Sequence, residues 1–199
     1  IRIQCSSASP PHPPFHAVAR LLELLRERLE MATRALEIKY RTLKQHGNGL
    51  LPFLTQSVGN DRYFRLENCS DIINVVGLRE ATEWFTGKSI NDEATAQFID
   101  EITHTIQAFL RRTGRRHGKR LQPATVLDTE ASERLAQLDV ERYGIGKIRL
   151  SGTRDKPFYS TTGTLALLDG EISTEDLAVE QKLDGLHEGG NLTVIELGE

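Results

Sequence analysis

The stretch Ile72-Ile-Asn-Val-Val-Gly77-Leu-Arg-Glu-Ala-Thr-Glu-Trp-Phe85 changes character at its glycine. Before Gly77 stands a short apolar run rich in β-branched residues, the composition of a buried strand. After it, apolar residues recur at helical spacing. The reading is strand, tight turn, helix. Such a turn aims backbone amides and a helix N-terminus at whatever occupies the strand's carboxyl end, which makes Gly77 a candidate anion contact. The competing reading is a purely structural turn.

Upstream, Val18, Leu22, Leu25, Leu29, Ala32, Leu36, Tyr40 and Leu43 alternate spacings of three and four, laying one apolar stripe along a helix from residue 15 to about 45. Gly47 and Gly49 are expected to end it. Tyr63-Phe-Arg-Leu reads as a further strand. Downstream, a helix should start near Asn91 or Asp92, turn Phe98, Ile102, Ile106 and Phe109 inward, and stop at Gly114. The run Arg111-Arg-Thr-Gly-Arg-Arg-His-Gly-Lys-Arg then packs six cations into ten residues. It reads first as a solvated helix end, where the dipole favours positive charge, and second as a phosphate patch. Leu121 to Val126 reads as extended. Residues 129–143 read as helix, with Leu135 and Leu138 inward and Gly144 closing it.

The last third is strand-like in pieces: Lys147-Ile-Arg-Leu, Pro157-Phe-Tyr-Ser-Thr-Thr, Thr164-Leu-Ala-Leu-Leu before Asp169-Gly170, and Leu192-Thr-Val-Ile-Glu-Leu. Ser173-Thr-Glu-Asp is a capping box opening a short helix before Gly189-Gly190. Residues 1–14, with prolines at 10, 11, 13 and 14, form an extended Ser/Pro-rich entry segment, because Pro lacks the amide donor. Strands alternating with helices make the class α/β or α+β, with residues 15–199 as a single domain. Both ends, Ile1 and Glu199, look cut from something longer.

With 199 residues and 38% apolar content, the chain is long enough for a substantial core. A net charge of −3 gives no electrostatic case for nucleic acid or an acidic membrane. No apolar run reaches the roughly 20 residues of a membrane span, so the expectation is no membrane partner and a cytoplasmic protein. Cys5 and Cys69 are far apart without metal-ligand spacing. Cys69 is expected to be a buried or half-buried thiol near a strand start.

No complete catalytic constellation is visible. The six histidines are dispersed, and neither a G-x-S-x-G elbow nor a phosphate-cradling Gly-Lys loop occurs. No metal site is expected. Glu130, at the start of a predicted helix, is favoured there by the dipole alone. Tyr159-Ser160-Thr161-Thr162 puts four hydroxyls on a short extended span, a chemistry that suits phosphate or ribose oxygens and is also common in ordinary sheets.

Five blocks nonetheless stand in order. Leu24-Leu-Arg-Glu-Arg-Leu-Glu-Met-Ala-Thr-Arg-Ala-Leu followed by Gly49-Leu-Leu-Pro-Phe-Leu resembles the helix and "LPFL"-type strand beyond the finger loop of anaerobic, class III (glycyl-radical) ribonucleoside-triphosphate reductases. Ile73-Asn-Val-Val-Gly-Leu-Arg-Glu-Ala with Thr86-Gly-Lys is similar to that family's "VGLNEA…TG" block. Asp128-Thr-Glu-Ala-Ser-Glu-Arg-Leu with Arg142-Tyr-Gly resembles its "P-x-E…R-F…F-G" block. Lys156-Pro-Phe-Tyr-Ser-Thr-Thr resembles its "YYTNS" block, and Gly189-Gly190 fits the glycine pair of the next strand.

The resemblance implies part of the ten-stranded α/β barrel of glycyl-radical enzymes and ribonucleotide reductases, preceded by a long helix. It implies a parent that makes deoxyribonucleotides for DNA replication from ribonucleoside triphosphates. Glu130 is then the catalytic candidate, as a proton-transfer group, and Tyr159, Ser160, Thr161, Thr162 and Gly77 are the substrate-binding candidates. No cofactor is expected in this chain. The glycyl radical and a zinc module would belong to a missing C-terminal region, and the family's "R-V-x-G-Y-x-G" loop and four-cysteine module do not occur here. The finger-loop cysteine would precede residue 1. Arg79 stands where the family has Asn, and Ser160-Thr-Thr where it has Thr-Asn-Ser. The chain is therefore read as a reductase fragment or relative, inactive by itself. The alternatives are a degenerate nucleotide-binding or subunit-interaction module of the same fold, and an unrelated α+β interaction domain. A piece of a barrel leaves strand edges bare, so self-association or a covering partner is expected.

Overall fold

The computed structural model describes residues 15–59, 61–62, 64–124, 126, 128–161 and 188–190. The entry segment with Cys5, Thr162, the strand at 164–168, the capping box at Ser173 and the strand at 192–197 lie outside the described residues.

The chain starts with helix α1 (Phe15–Leu50). Its helical dihedrals break at His46 (φ −120°, ψ 15°), one residue past the expected end, and a further turn carries on through Gly47 and Gly49. The glycines do not stop the helix, because Leu51 N bonds back to Gly47 O and Thr55 N to Leu51 O. The "LPFL" stretch is accordingly a run of turns rather than a strand. A two-residue antiparallel hairpin follows, β1 (Ser57–Val58) with β2 (Asp61–Arg62). Phe64-Arg-Leu is not a strand either. The amides of Asn68 and Cys69 reach back only three residues, winding Leu66–Asn68 into a 3-10 turn. That turn leaves Cys69 exposed, where a buried or half-buried thiol was expected.

The centre of the fold is a parallel pair, β3 (Ser70–Asn74) and β4 (Arg120–Ala124), running in register from Ser70 opposite Arg120 to Asn74 opposite Ala124. Parallel strands need a long crossover. Here it consists of α2 (Leu78–Thr86) and α3 (Glu93–His117). Asp92 caps α3 by accepting from Ala94 N at 3.0 Å. The helix runs past Gly114, the expected stop, to Gly118, whose φ of 63° makes the left-handed cap. Gly114 is instead a point of close approach: a β-carbon there would stand 2.6 Å from the Lys119 carbonyl oxygen. The basic run is thus the last turns of α3 and the bend into β4, the solvated helix end of the first reading.

One apolar core joins these parts. Leu21, Leu25 and Leu29 of α1 pack with Ile73, Val75, Leu78 and Phe85 and with Ile99, Ile102, Ile106 and Leu110 of α3. Burying a side chain of this kind contributes about 1.5–3 kcal/mol. Beyond Leu29 the stripe of α1 is only half-buried, at Ala32, Leu36, Tyr40 and Leu43.

After β4 comes α4 (Thr129–Tyr143), capped by Asp128. Its buried face is Ser132, Ala136 and Asp139. Leu138, expected inward, is 40% exposed, because this small and polar face is the one that meets the rest of the chain. A 3-10 turn at Ile145–Lys147 replaces the strand expected at 147–150. The hairpin of β5 (Ser151–Gly152) and β6 (Pro157–Phe158) then returns the chain to the centre. The far edge of β4 is met by Gly189, whose amide donates to Pro123 O at 2.8 Å. Among the described residues, no helix is long and apolar enough to cross a membrane.

Candidate functional site

Residues 159–161 lie where α2, α4 and the carboxyl ends of β3 and β4 converge. Gly77, with φ 79°, caps the start of α2 and donates its amide to Ser160 O at 2.8 Å. Positive φ favours glycine, and a β-carbon at 77 would also come within 3.3 Å of the Tyr159 ring. The strand-turn-helix reading of 72–85 therefore holds, and the amide of its glycine is spent on Ser160.

α2 grips the same segment through Glu80. This carboxylate is buried and accepts from Ser160 N at 2.9 Å, Ser160 Oγ at 2.8 Å and Ser151 Oγ at 2.5 Å. One turn further on, buried Glu83 accepts from Ile90 N at 3.1 Å and Arg79 Nε at 3.3 Å, and pairs with Arg149 at 2.8 Å. The two acids tie the 149–160 return to α2 from below.

From the other side, the Ser132 hydroxyl of α4 donates to Tyr159 O and accepts from Tyr159 N. The Tyr159 phenol donates to buried Asp139 at 2.9 Å. Asn74, last residue of β3, exchanges both amide bonds with Val126, donating to its carbonyl at 3.0 Å and accepting from its N–H at 3.2 Å. A side chain thus copies one rung of a ladder and fixes the path from β4 into α4.

The structure brings Gly77, Tyr159, Ser160 and Thr161 together, and Thr162 lies outside the described residues. Ser160 and Thr161 are both buried. Ser160 directs its amide, carbonyl and hydroxyl at α2. Glu130 is exposed in the first turn of α4, and its side chain makes no hydrogen bond among the described residues. Sequence reasoning missed Glu80, Glu83, Ser132 and Asp139. Apart from Arg79 and Ile90 beside Glu83, their partners are 20 to 80 residues away, so the local hint was a polar residue on a face otherwise set to be buried.

A separate cavity of about 420 Å³ lies between the end of α1 and the turn at 64–67, lined by Tyr40, Lys44, Thr55, Phe64, Leu66 and Glu67 among others. None of the sequence candidates lines it. Among the described residues no group of three or more His, Cys, Asp or Glu comes together to hold a metal.

The family model for anaerobic ribonucleoside-triphosphate reductase matches residues 14–199. The chain belongs to that family. The helix, the parallel pair and the clamped 159–161 segment are thus parts of an anaerobic reductase fold. No curated protein matches the chain. Among solved structures, an anaerobic ribonucleotide reductase is similar over 91% of this chain and 28% of its own, with TM-score 0.73 and 23% identity. The Thermotoga maritima anaerobic ribonucleotide reductase with glycerol in its active site matches 91% of this chain and 29% of its own (TM-score 0.72, 22% identity). Its complex with dATP and CTP matches 86% and 28% (TM-score 0.69, 22% identity). At this identity the likeness speaks for the fold, and the chain spans less than a third of the length of these reductases.

Proposed function

We propose that the chain supplies part of the catalytic barrel of an enzyme that converts ribonucleoside triphosphates to deoxyribonucleotides, with residues 159–161 and Glu130 on the substrate side. The observation that carries this reading is the family match across 14–199, which includes the segment held between α2 and α4. Its position supports the reading, since open α/β sheets receive ligands outside the carboxyl ends of parallel strands. A Thermotoga maritima relative was crystallised with dATP and CTP, which supports nucleotides as the ligand class.

In this reading the hydrogen-atom abstraction is supplied by a glycyl radical and a finger-loop cysteine outside these 199 residues, as is the zinc module. The residues of this chain bind and orient. Thr161, buried next to Ser160, presents its hydroxyl to a ribose or phosphate oxygen in this reading. Gly77 and Ser160 hold that residue in place rather than touching the nucleotide through their committed groups. Exposed Glu130 serves as a proton-transfer group for the ribose chemistry in this reading. The protein acts in the cytoplasm. The exposed apolar side chains Met31, Ile38, Leu50 and Phe53 (83% exposed) support a covering partner, a second copy or the remainder of the barrel.

The test uses the protein that carries this chain, prepared anaerobically with its radical installed. Thr161→Val should raise KM for the ribonucleoside triphosphate about tenfold, and Glu130→Gln should lower kcat about a hundredfold with KM little changed. Absence of saturable CTP or ATP binding to the unmodified protein would remove the reading.

A further inference from the structure

We propose that Glu80 is a positioning residue for the substrate-side segment 159–161: its buried carboxylate, held by Ser160 N, Ser160 Oγ and Ser151 Oγ, sets where Thr161 stands. The proposal rests on the functional reading above and names a residue for the same site.

Two acids on one helix solve burial differently. Glu83 is compensated by the guanidinium groups of Arg149 and Arg79. Glu80 is equally buried, yet among the described residues no cation pairs with it, and its three donors are all neutral. A buried carboxylate is costly unless its lone pairs are filled. Filling them with two hydroxyls and one amide ties the acid to one backbone geometry, because the Ser160 amide is fixed by the chain and not by a rotamer. The grip is closed on the next peptide, where Ser160 O accepts from Gly77 N, three residues before Glu80. Every polar group of Ser160 therefore points at the first turn of α2. The residue that follows it is placed by that turn. Arg149, held by Glu83, anchors the strand that brings Ser151 to Glu80.

The role needs an acceptor, and it does not need a proton-transfer group. Gln at position 80 keeps a carbonyl for Ser160 N and Ser151 Oγ, while its amide donates to a Ser160 hydroxyl rotated to accept. Glu80→Ala should speed amide hydrogen exchange in the peptide containing 159–161 by about tenfold or more, and raise KM for the triphosphate by a similar factor. Its kcat should fall by less than about threefold. Glu80→Gln should restore both readouts to within about threefold of the parent. If Glu80→Ala is insoluble, Glu80→Asp takes its place, its carboxylate one methylene short of Ser160. Unchanged exchange in the loss variant overturns the proposal. So does a drop in kcat of about a hundredfold in Glu80→Gln with KM intact, which would make the carboxylate itself reactive. If the unmodified protein neither binds nor turns over nucleotide, the functional reading falls. In that case the exchange comparison still decides whether Glu80 positions the segment.

Discussion

The α-carbon of Gly77 lies against the ring of Tyr159, so close that a β-carbon at position 77 would stand 3.3 Å from Tyr159 Cδ1. The same glycine holds φ at 79°. Gly77→Ala should therefore lose stability twice over, by left-handed strain of about 1–3 kcal/mol and by pushing on the ring. Urea denaturation gives the value, and Gly77→Asn should lose less than Gly77→Ala because Asn tolerates that conformation better. A Gly77→Ala protein as stable as its parent would mean that neither the backbone nor the ring constrains this turn.

Gly114 offers a test in which the sign is diagnostic. Inside a helix, Gly→Ala ordinarily gains about 1 kcal/mol. In α3 the new methyl would meet the Lys119 carbonyl oxygen at 2.6 Å, a backbone atom at the bend into β4 that has no rotamer to give. Overpacking of this kind costs about 1–3 kcal/mol, so Gly114→Ala should lower the melting temperature. At Gly146, where nothing lies within 4 Å, the same substitution should change it little.

Lys119 carries a pH dependence. Its ammonium lies over the Tyr40 ring, shielded from solvent and without a hydrogen-bond partner among the described residues. Burial pushes its pKa below the usual 10.5, and Lys44 pushes the same way, against the pull of Asp71 and Glu37. A lysine whose folded pKa is lowered is protonated at a cost to the fold. That cost is fully present below the folded value and disappears as pH rises from there to 10.5. Lys119 should thus make the protein more stable with rising pH in that window, and Lys119→Met should flatten the slope. Urea midpoints measured across the window would expose the opposite sign.

The parts of the fold set by neighbours in the chain were legible. The change of period at Gly77, the cap at Asp92 and the bounds of the helix at 129–143 all follow from chemistry within a few residues. What failed depended on distant partners. Gly114 looked like a stop because its role is to let Lys119 approach. Leu138 looked inward because Ser132 and Asp139 gave no sign that Tyr159 would claim their face. Among the site candidates, the hydroxyl run was visible as composition, whereas the acids that hold it, Glu80 and Glu83, carry no local sign of the distant residues they bind.

Pro123 has a consequence for assembly. Its carbonyl accepts from Gly189 on the side of β4 away from β3, and in a strand a residue's missing N–H belongs to the same side as its carbonyl. The seam with Gly189 therefore lacks one donor. While the chain is still unassembled and this edge lies bare, a stray strand from another molecule finds the same donor missing. The residue that weakens this seam is also the one that discourages a wrong partner from pairing there.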